Sequence, residues 1–206
     1  MKKKNDRKII LLFVLVGLLL FGFLIYRVNK DFFSKNASKK QIDSIEYYGY
    51  TLTKNDTDIY KTTFKELSKV LNEKPIDNTL YAKLISKLFI IDLYTLDNKL
   101  SSTDIGGLEF LHKDLRDNFK ENMGSSLYKY VESNLDGKRK QELPVVKDVT
   151  ISDVFETKYT YNKNEYTAYL VTANWTYEKD LGYQTSAKLT VINNKDVLYI
   201  VKGNWD

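Results

Sequence analysis

The sequence predicts an α+β domain carried behind an N-terminal transmembrane helix, and three observations predict it. A charge-free apolar run of eighteen residues, Ile9 to Tyr26, lies near the start of the chain. From Asp56 to Leu135 apolar residues recur at intervals of three and four, and after Pro144 at intervals of two. Helical periodicity followed by strand periodicity, with no alternation between the two, is the order of helices packed on an antiparallel sheet.

The length of 206 residues allows a membrane segment and one domain of ordinary size, with no room for a second. Cysteine is absent, which excludes disulfides, Cys-ligated zinc, a thiol nucleophile and an acylated lipobox cysteine. The net charge of +5 suggests nucleic acid until it is divided along the chain. Lys2, Lys3, Lys4, Arg7, Lys8, Arg27 and Lys30 face only Asp6, so residues 1–30 carry +6. The remainder holds 25 basic and 26 acidic groups and carries −1. A part so close to neutral has no general attraction for phosphate backbones, and nucleic acid is not an expected partner.

The run IILLFVLVGLLLFGFLIY would span roughly 27 Å as a helix, close to the thickness of a bilayer's hydrocarbon core. Ile9, Leu12, Val16, Leu20 and Leu24 represent its apolar surface, and Tyr26 with Arg27 supplies an interfacial ring and a snorkelling cation. Gly17 and Gly22 lack GxxxG spacing and imply no dimer face. A cleaved signal peptide is the alternative, but the run exceeds a signal core of roughly 7–15 residues, ends on bulky Tyr26 and is followed by Arg27, Val28 and Asn29 with no small-x-small site. The expectation is a retained signal anchor. Lys2, Lys3, Lys4, Arg7 and Lys8 hold the N-terminus in the cytoplasm, leaving the rest extracytoplasmic. The expected parts are a basic tail (1–8), the anchor (9–26), a juxtamembrane stalk (27–55) and the domain (56–206). The stalk's second half, with Tyr47, Tyr48 and Tyr50, is expected to pack on the domain, and Ile42 and Ile45 to extend the anchor as helix.

Within the domain, Asp56 or Thr57 caps a first helix whose apolar stripe is Ile59, Tyr60, Thr63, Phe64, Leu67, Val70 and Leu71. Pro75 ends it, and Asp77 caps a second with a wider set, Leu80, Tyr81, Leu84, Ile85, Leu88, Phe89 and Ile91, predicted to be the most buried. A polar loop from Asp97 to Gly107 follows. Leu111, Leu115 and Phe119 mark a third helical unit, interrupted near Gly124 and continued by Leu127, Tyr128, Val131 and Leu135 to a stop at Gly137. Val149 and Ile151 then alternate with polar residues, and the shift to Val154 and Phe155 predicts a bulge. Asn162 to Asn164 turn the chain, and Tyr169, Val171, Ala173, Trp175 and Tyr177 share one face of a second strand. Asp180 to Gly182 turn it again, and a third strand runs Tyr183, Thr185, Ala187, Leu189 and Val191. Asn193-Asn194 make the last turn before Val197, Tyr199 and Val201. Leu198 and Ile200 opposite Val197 and Tyr199 predict that both faces of the sheet are at least partly covered.

Three helical units, then a bent four-stranded antiparallel sheet, resemble the NTF2-like superfamily and its αααββββ cone. With one N-terminal membrane helix the chain looks most like the VirB8-type assembly factors of conjugative secretion systems and their Gram-positive counterparts. The resemblance covers element order from Asp56 to Asp206. The anchor together with a compact domain without catalytic residues points to a non-enzymatic assembly or scaffold protein, whose expected partners are the bilayer and other envelope proteins or a second copy.

No P-loop, GxGxxG, HExxH or GxSxG motif occurs. His112, the only histidine, has Asp104, Asp114 or Asp117 as imaginable partners and Ser101 or Ser102 as imaginable nucleophiles. It is read as a solvated polar residue at a helix start. Asp56 and Asp58 beside Asn55 lack the glycine and terminal glutamate of a calcium loop. No cofactor, metal or catalytic residue is therefore expected. Lys138, Arg139 and Lys140 read as a solvated corner, with contact to acidic headgroups or a partner as the alternative. Tyr159, Tyr161 and Trp175 are candidates for an exposed aromatic row of a cell-surface or cell-wall binder. A small-ligand or enzymatic NTF2-like domain is the other alternative. The sixteen tyrosines, with abundant Lys, Asn and Ile, fit a low-GC Gram-positive source.

Overall fold

A computed structural model describes residues 39–205. The expected anchor, Ile9 to Tyr26, and the charges from Lys2 to Lys8 lie outside them. No helix among the described residues is long and apolar enough to cross a membrane. The compact unit begins at Lys39 and so takes in the second half of the expected stalk.

That half is a hairpin of β1 (Gln41–Ile45) and β2 (Tyr50–Thr53), joined by a 3-10 turn over Glu46–Tyr48 and by Gly49 at φ 73°. The packing expectation holds, while the helical one for Ile42 and Ile45 does not: both lie on β1. The reason is in β2, where Tyr50 and Leu52 alternate inward and are almost fully buried. Tyr50 Oη lies 2.7 Å from Tyr81 Oη and donates to the Leu198 carbonyl at 3.2 Å, tying the hairpin to a helix and to the sheet.

Helix α1 (Asp58–Asn72) starts where Thr57 Oγ1 accepts the Tyr60 amide, and α2 (Asn78–Tyr94) where Asp77 Oδ1 accepts the Leu80 amide at 2.9 Å. The predicted stripe of α1 is its buried face, with Tyr60, Thr63, Phe64, Leu67 and Val70 inside. Helix α2 packs on α1 and on three strands of the sheet, which leaves eleven of its residues buried.

The third helical unit is shorter than predicted. Two 3-10 turns, Leu108–Phe110 and Lys113–Leu115, lead into α3 (Arg116–Ser125), and no helix resumes before the sheet. Ser125 and Ser126 each turn a hydroxyl onto the Asn122 carbonyl, competing for the acceptor that a continuing helix would use. Leu127 to Leu135 instead form turns and coil around buried Tyr128, whose hydroxyl donates to the Leu93 carbonyl at 2.7 Å and accepts the Gly106 amide at 3.1 Å. Side chains three and four apart mark an inward face here without a helix beneath it. Gly137 at φ 70° serves a turn in that coil rather than a helix end.

The sheet is the predicted antiparallel meander: β3 (Val146–Tyr161), β4 (Asn164–Tyr177), β5 (Ser186–Asn194) and β6 (Val197–Trp205). The register of β3 against β4 slips between Ile151 and Asp153, at the predicted bulge. Asn162 and Lys163 make the first hairpin turn with positive φ at both positions, and Lys195 and Asp196 make the last. The last turn thus lies two residues beyond Asn193-Asn194, which end β5; Asn193 Oδ1 accepts the Asp196 amide and braces the turn from outside it. Tyr183 and Thr185 precede β5, which begins at Ser186.

Tyr169, Val171, Ala173 and Trp175 line the helix-facing side as predicted. The other side carries a smaller cluster of Ala168, Ile192 and Val201, with Leu115, Tyr159, Tyr161, Tyr166 and Tyr199 packed against it. The sheet is accordingly covered on both faces near β6, the edge that also meets Leu111 through a parallel bridge at Ile200.

Candidate functional site

Two concave features stand out. The first is polar. Lys99 is fully buried, and its Nζ lies 2.5 Å from Asp92 Oδ1; the other oxygen of Asp92 accepts the Gly107 amide at 2.6 Å. A Cβ on Gly106 would collide with the Asp92 carbonyl, so only glycine allows this loop to close over the end of α2. Lys39 pairs with Asp104 at 3.1 Å, and Asp104 also accepts the Leu100 amide. Glu109 accepts from the Thr51 amide at 3.1 Å, the Thr51 hydroxyl at 2.8 Å and the Tyr60 hydroxyl at 3.1 Å. Lys39, Asp56, Asp92, Asp104 and Glu109 line a cavity of about 130 Å³, with Thr51 and Tyr60 beside them.

The electrostatics follow from burial opposed by partners. Burial pushes the Glu109 carboxyl up to about 7 against the pull of the Thr51 hydroxyl and amide. Burial also raises Asp92, but Lys99 and Lys39 outweigh it and hold that carboxyl below its ordinary range. Burial lowers Lys39, as does the neighbouring Lys99. The cluster joins β2, α1, the end of α2 and the Leu100–Glu109 loop. The contacts of Thr51 and Tyr60 with Glu109, of Gly107 with Asp92 and of Lys39 with Asp104 tie these segments together, so its chemistry is that of an ionic clasp on the N-terminal hairpin.

The second feature is an apolar cleft of about 260 Å³ between α2, α3 and the β5–β6 end of the sheet. Phe89, Leu111, Phe119, Met123, Leu189 and Trp205 form most of its wall, and Asn118, Asn122 and Lys202 its polar part. Trp205 folds back over Gly203, where a Cβ would meet the indole at 2.9 Å, and lies within 6.3 Å of the Phe89 ring.

The structure redistributes the residues singled out in the sequence. Trp175 is 3% exposed, with its ring centroid 4.8 Å from that of Tyr94 and its Nε1 donating to Tyr177 Oη at 2.8 Å. It is a core residue and takes no part in an exposed row, because the inward parity of β4 claims it. Tyr159 and Tyr161 are half-buried against the outer-face cluster.

The basic run separates as well. Lys138 and Lys140 are exposed, but the Arg139 side chain is 2% exposed and donates to the carbonyls of Asp97, Lys99 and Glu132. Arg139 is thus a strut across the long coil and is withdrawn from partner contact. His112 is buried too, with ring centroids of Tyr161 and Tyr199 at 5.1 and 5.5 Å and Asp114 Oδ2 at 3.5 Å from Nδ1. Its expected solvated position gives way because the Lys113–Leu115 turn carries it onto the outer-face cluster. Of the imaginable partners Asp114 lies against His112, while Ser101 pairs with Thr103, and Asp104 with Leu100 and Lys39.

Asp56 closes the turn after β2 by accepting the Thr53 amide at 2.6 Å, while Asp58 pairs with Lys61. Among the described residues, no group of three or more His, Cys, Asp or Glu is arranged to hold a metal ion. The Asp92–Lys99–Glu109 cluster has no sequence motif. Its only trace is polar residues inside or flanking apolar segments, as with Asp92 in LFIIDLY.

No family model, curated protein or solved structure matches this chain.

Proposed function

We propose that this chain is a non-enzymatic, membrane-anchored assembly or scaffold protein of the cell envelope, with its folded unit on the extracytoplasmic side. The observation that carries this reading is the outer face of the β3–β4 hairpin. Phe155 and Leu170, register partners there, are 62% and 43% exposed, an apolar pair left open on a domain with ample core to bury it. The charge-free run Ile9–Tyr26 behind five cations supplies the anchor and its orientation. The near-neutral remainder favours protein over nucleic-acid contacts.

Helices followed by a bulged four-stranded meander support the NTF2-like, VirB8-type resemblance. The test is cross-linking of the full-length chain in its own membranes. A defined complex with another envelope protein or with itself is expected; recovery of the chain as monomer alone would contradict the reading.

The apolar cleft favours a second reading, a small-ligand-binding NTF2-like domain. Apolar walls with three polar groups suit an amphipathic ligand, although about 260 Å³ is below the usual range of roughly 300–1,000 Å³ for such pockets. Trp205 in the cleft wall reports directly: an apolar naphthalene sulfonate probe that saturably quenches its fluorescence supports this reading, and no change beyond that of a Trp205→Phe chain counts against it.

A further inference from the structure

If the domain is an assembly module, as proposed above, the free edge of β3 identifies what it assembles with. Strand β3 pairs only with β4 among the described residues. From Asp153 to Tyr161 its register runs without a break, and Phe155, Glu156, Thr157 and Lys158 are all exposed. Such an edge presents unpaired backbone N–H and C=O groups to any strand that fits it.

The sequence of the edge fits itself. Partners directly opposite in an antiparallel pair share a face, so a two-fold axis perpendicular to the sheet must pass through a residue. An axis through Glu156 or Lys158 sets like charges against each other. An axis through Thr157 places Glu156 opposite the second copy's Lys158, and Lys158 opposite its Glu156. On the outer face the same axis places Phe155 opposite Tyr159 twice, extending the exposed Phe155–Leu170 pair across the junction. Opposite-charge and aromatic cross-strand pairs are the unit of sheet stabilisation, and this register supplies two of each.

We propose that a second copy of this chain docks antiparallel on the β3 edge about a two-fold axis through Thr157, making one continuous eight-stranded sheet. A one-strand contact is small for a protein interface, so the dimer is weak in dilute solution and is favoured where an anchor confines both copies to one surface.

The absence of cysteine makes the test direct. Directly opposite antiparallel residues have Cα atoms about 4.5–5.5 Å apart, within disulfide reach. Full-length Thr157→Cys, oxidised in membranes, is expected to form a disulfide dimer at least ten-fold faster than Asn174→Cys, which lies on interior strand β4. Adding Glu156→Lys to the Thr157→Cys chain is expected to slow its dimerisation by about ten-fold, and adding Lys158→Glu as well to restore it. Equal rates at positions 157 and 174, or indifference to Glu156→Lys, would overturn the proposal. A Thr157→Cys chain that stays monomeric with itself but cross-links to a different envelope protein would overturn the edge pairing and leave the assembly reading standing.

Discussion

The ionic clasp and the β3–β4 hairpin invert the ordinary distribution of polar and apolar groups in opposite senses. At the clasp, charges have gone inside: Lys99 has no exposure, Asp92 faces it, and Glu109 is held by three donors. At the hairpin, Phe155 and Leu170 have stayed outside. Buried charges are tolerated only when paired, and the contacts here tie β2 and α1 to the end of α2 and the loop after it, across 49 and 58 residues at Glu109. Exposed apolar groups need no partner to fold, which leaves them free to be met by one. One region spends its unusual residues on holding the domain together, the other on its surface.

The largest effect that would break this contrast is at the clasp. Lys99→Met leaves Asp92 half-buried beside an apolar side chain and is expected to destabilise the domain by about 3–5 kcal/mol in denaturant unfolding. A loss below about 1 kcal/mol would show that the pair is dispensable. Arg139→Ala should follow at about 2–3 kcal/mol, since three carbonyls lose a charged donor, while Lys138→Ala should stay within about 0.5 kcal/mol.

The pH dependence has a definite sign. Glu109 titrates near 7 in the fold and close to its ordinary value when unfolded, so between those values the native state binds the extra proton. Its contribution to stability is full below the unfolded value and is lost as pH rises toward 7, with a slope of at most about 1.4 kcal/mol per pH unit. Glu109→Gln is expected to flatten that part of the unfolding profile relative to the parent chain. The smallest effect on folding belongs to the hairpin: Phe155→Ser should change stability by no more than about 0.5 kcal/mol while reducing cross-linked complex in membranes.

Much of this architecture is legible in the sequence because burial imposes a period. The stripe of α1, the inward face of β4, the bulge after Ile151 and the two-sided character of β6 all follow from which residues must face a core. Period fails where inward-facing residues sit on irregular chain. Leu127, Tyr128, Val131 and Leu135 have helical spacing, yet the hydroxyls of Ser125 and Ser126 end the helix before them. It also fails for β1 and β2, whose strands of five and four residues are too short to show alternation beside a cluster of tyrosines.

The candidate site is less legible than the fold. Arg139 and His112 look solvated from their neighbours in sequence, and only the tertiary path of the coil and of the Lys113–Leu115 turn buries them. The clasp depends on contacts such as Thr51 with Glu109, 58 residues apart, that no local pattern encodes. In the sequence Phe155 stands out only as the sign of a bulge, whereas its exposure on the outer face is the more informative property.

The most direct test of the account asks whether the outer sheet face is presented beyond the membrane. Asn174→Cys, exposed on β4, would be treated in intact cells with a membrane-impermeant maleimide. The account predicts labelling equal to that in permeabilised cells. Labelling only after permeabilisation would place the domain on the cytoplasmic side and contradict it.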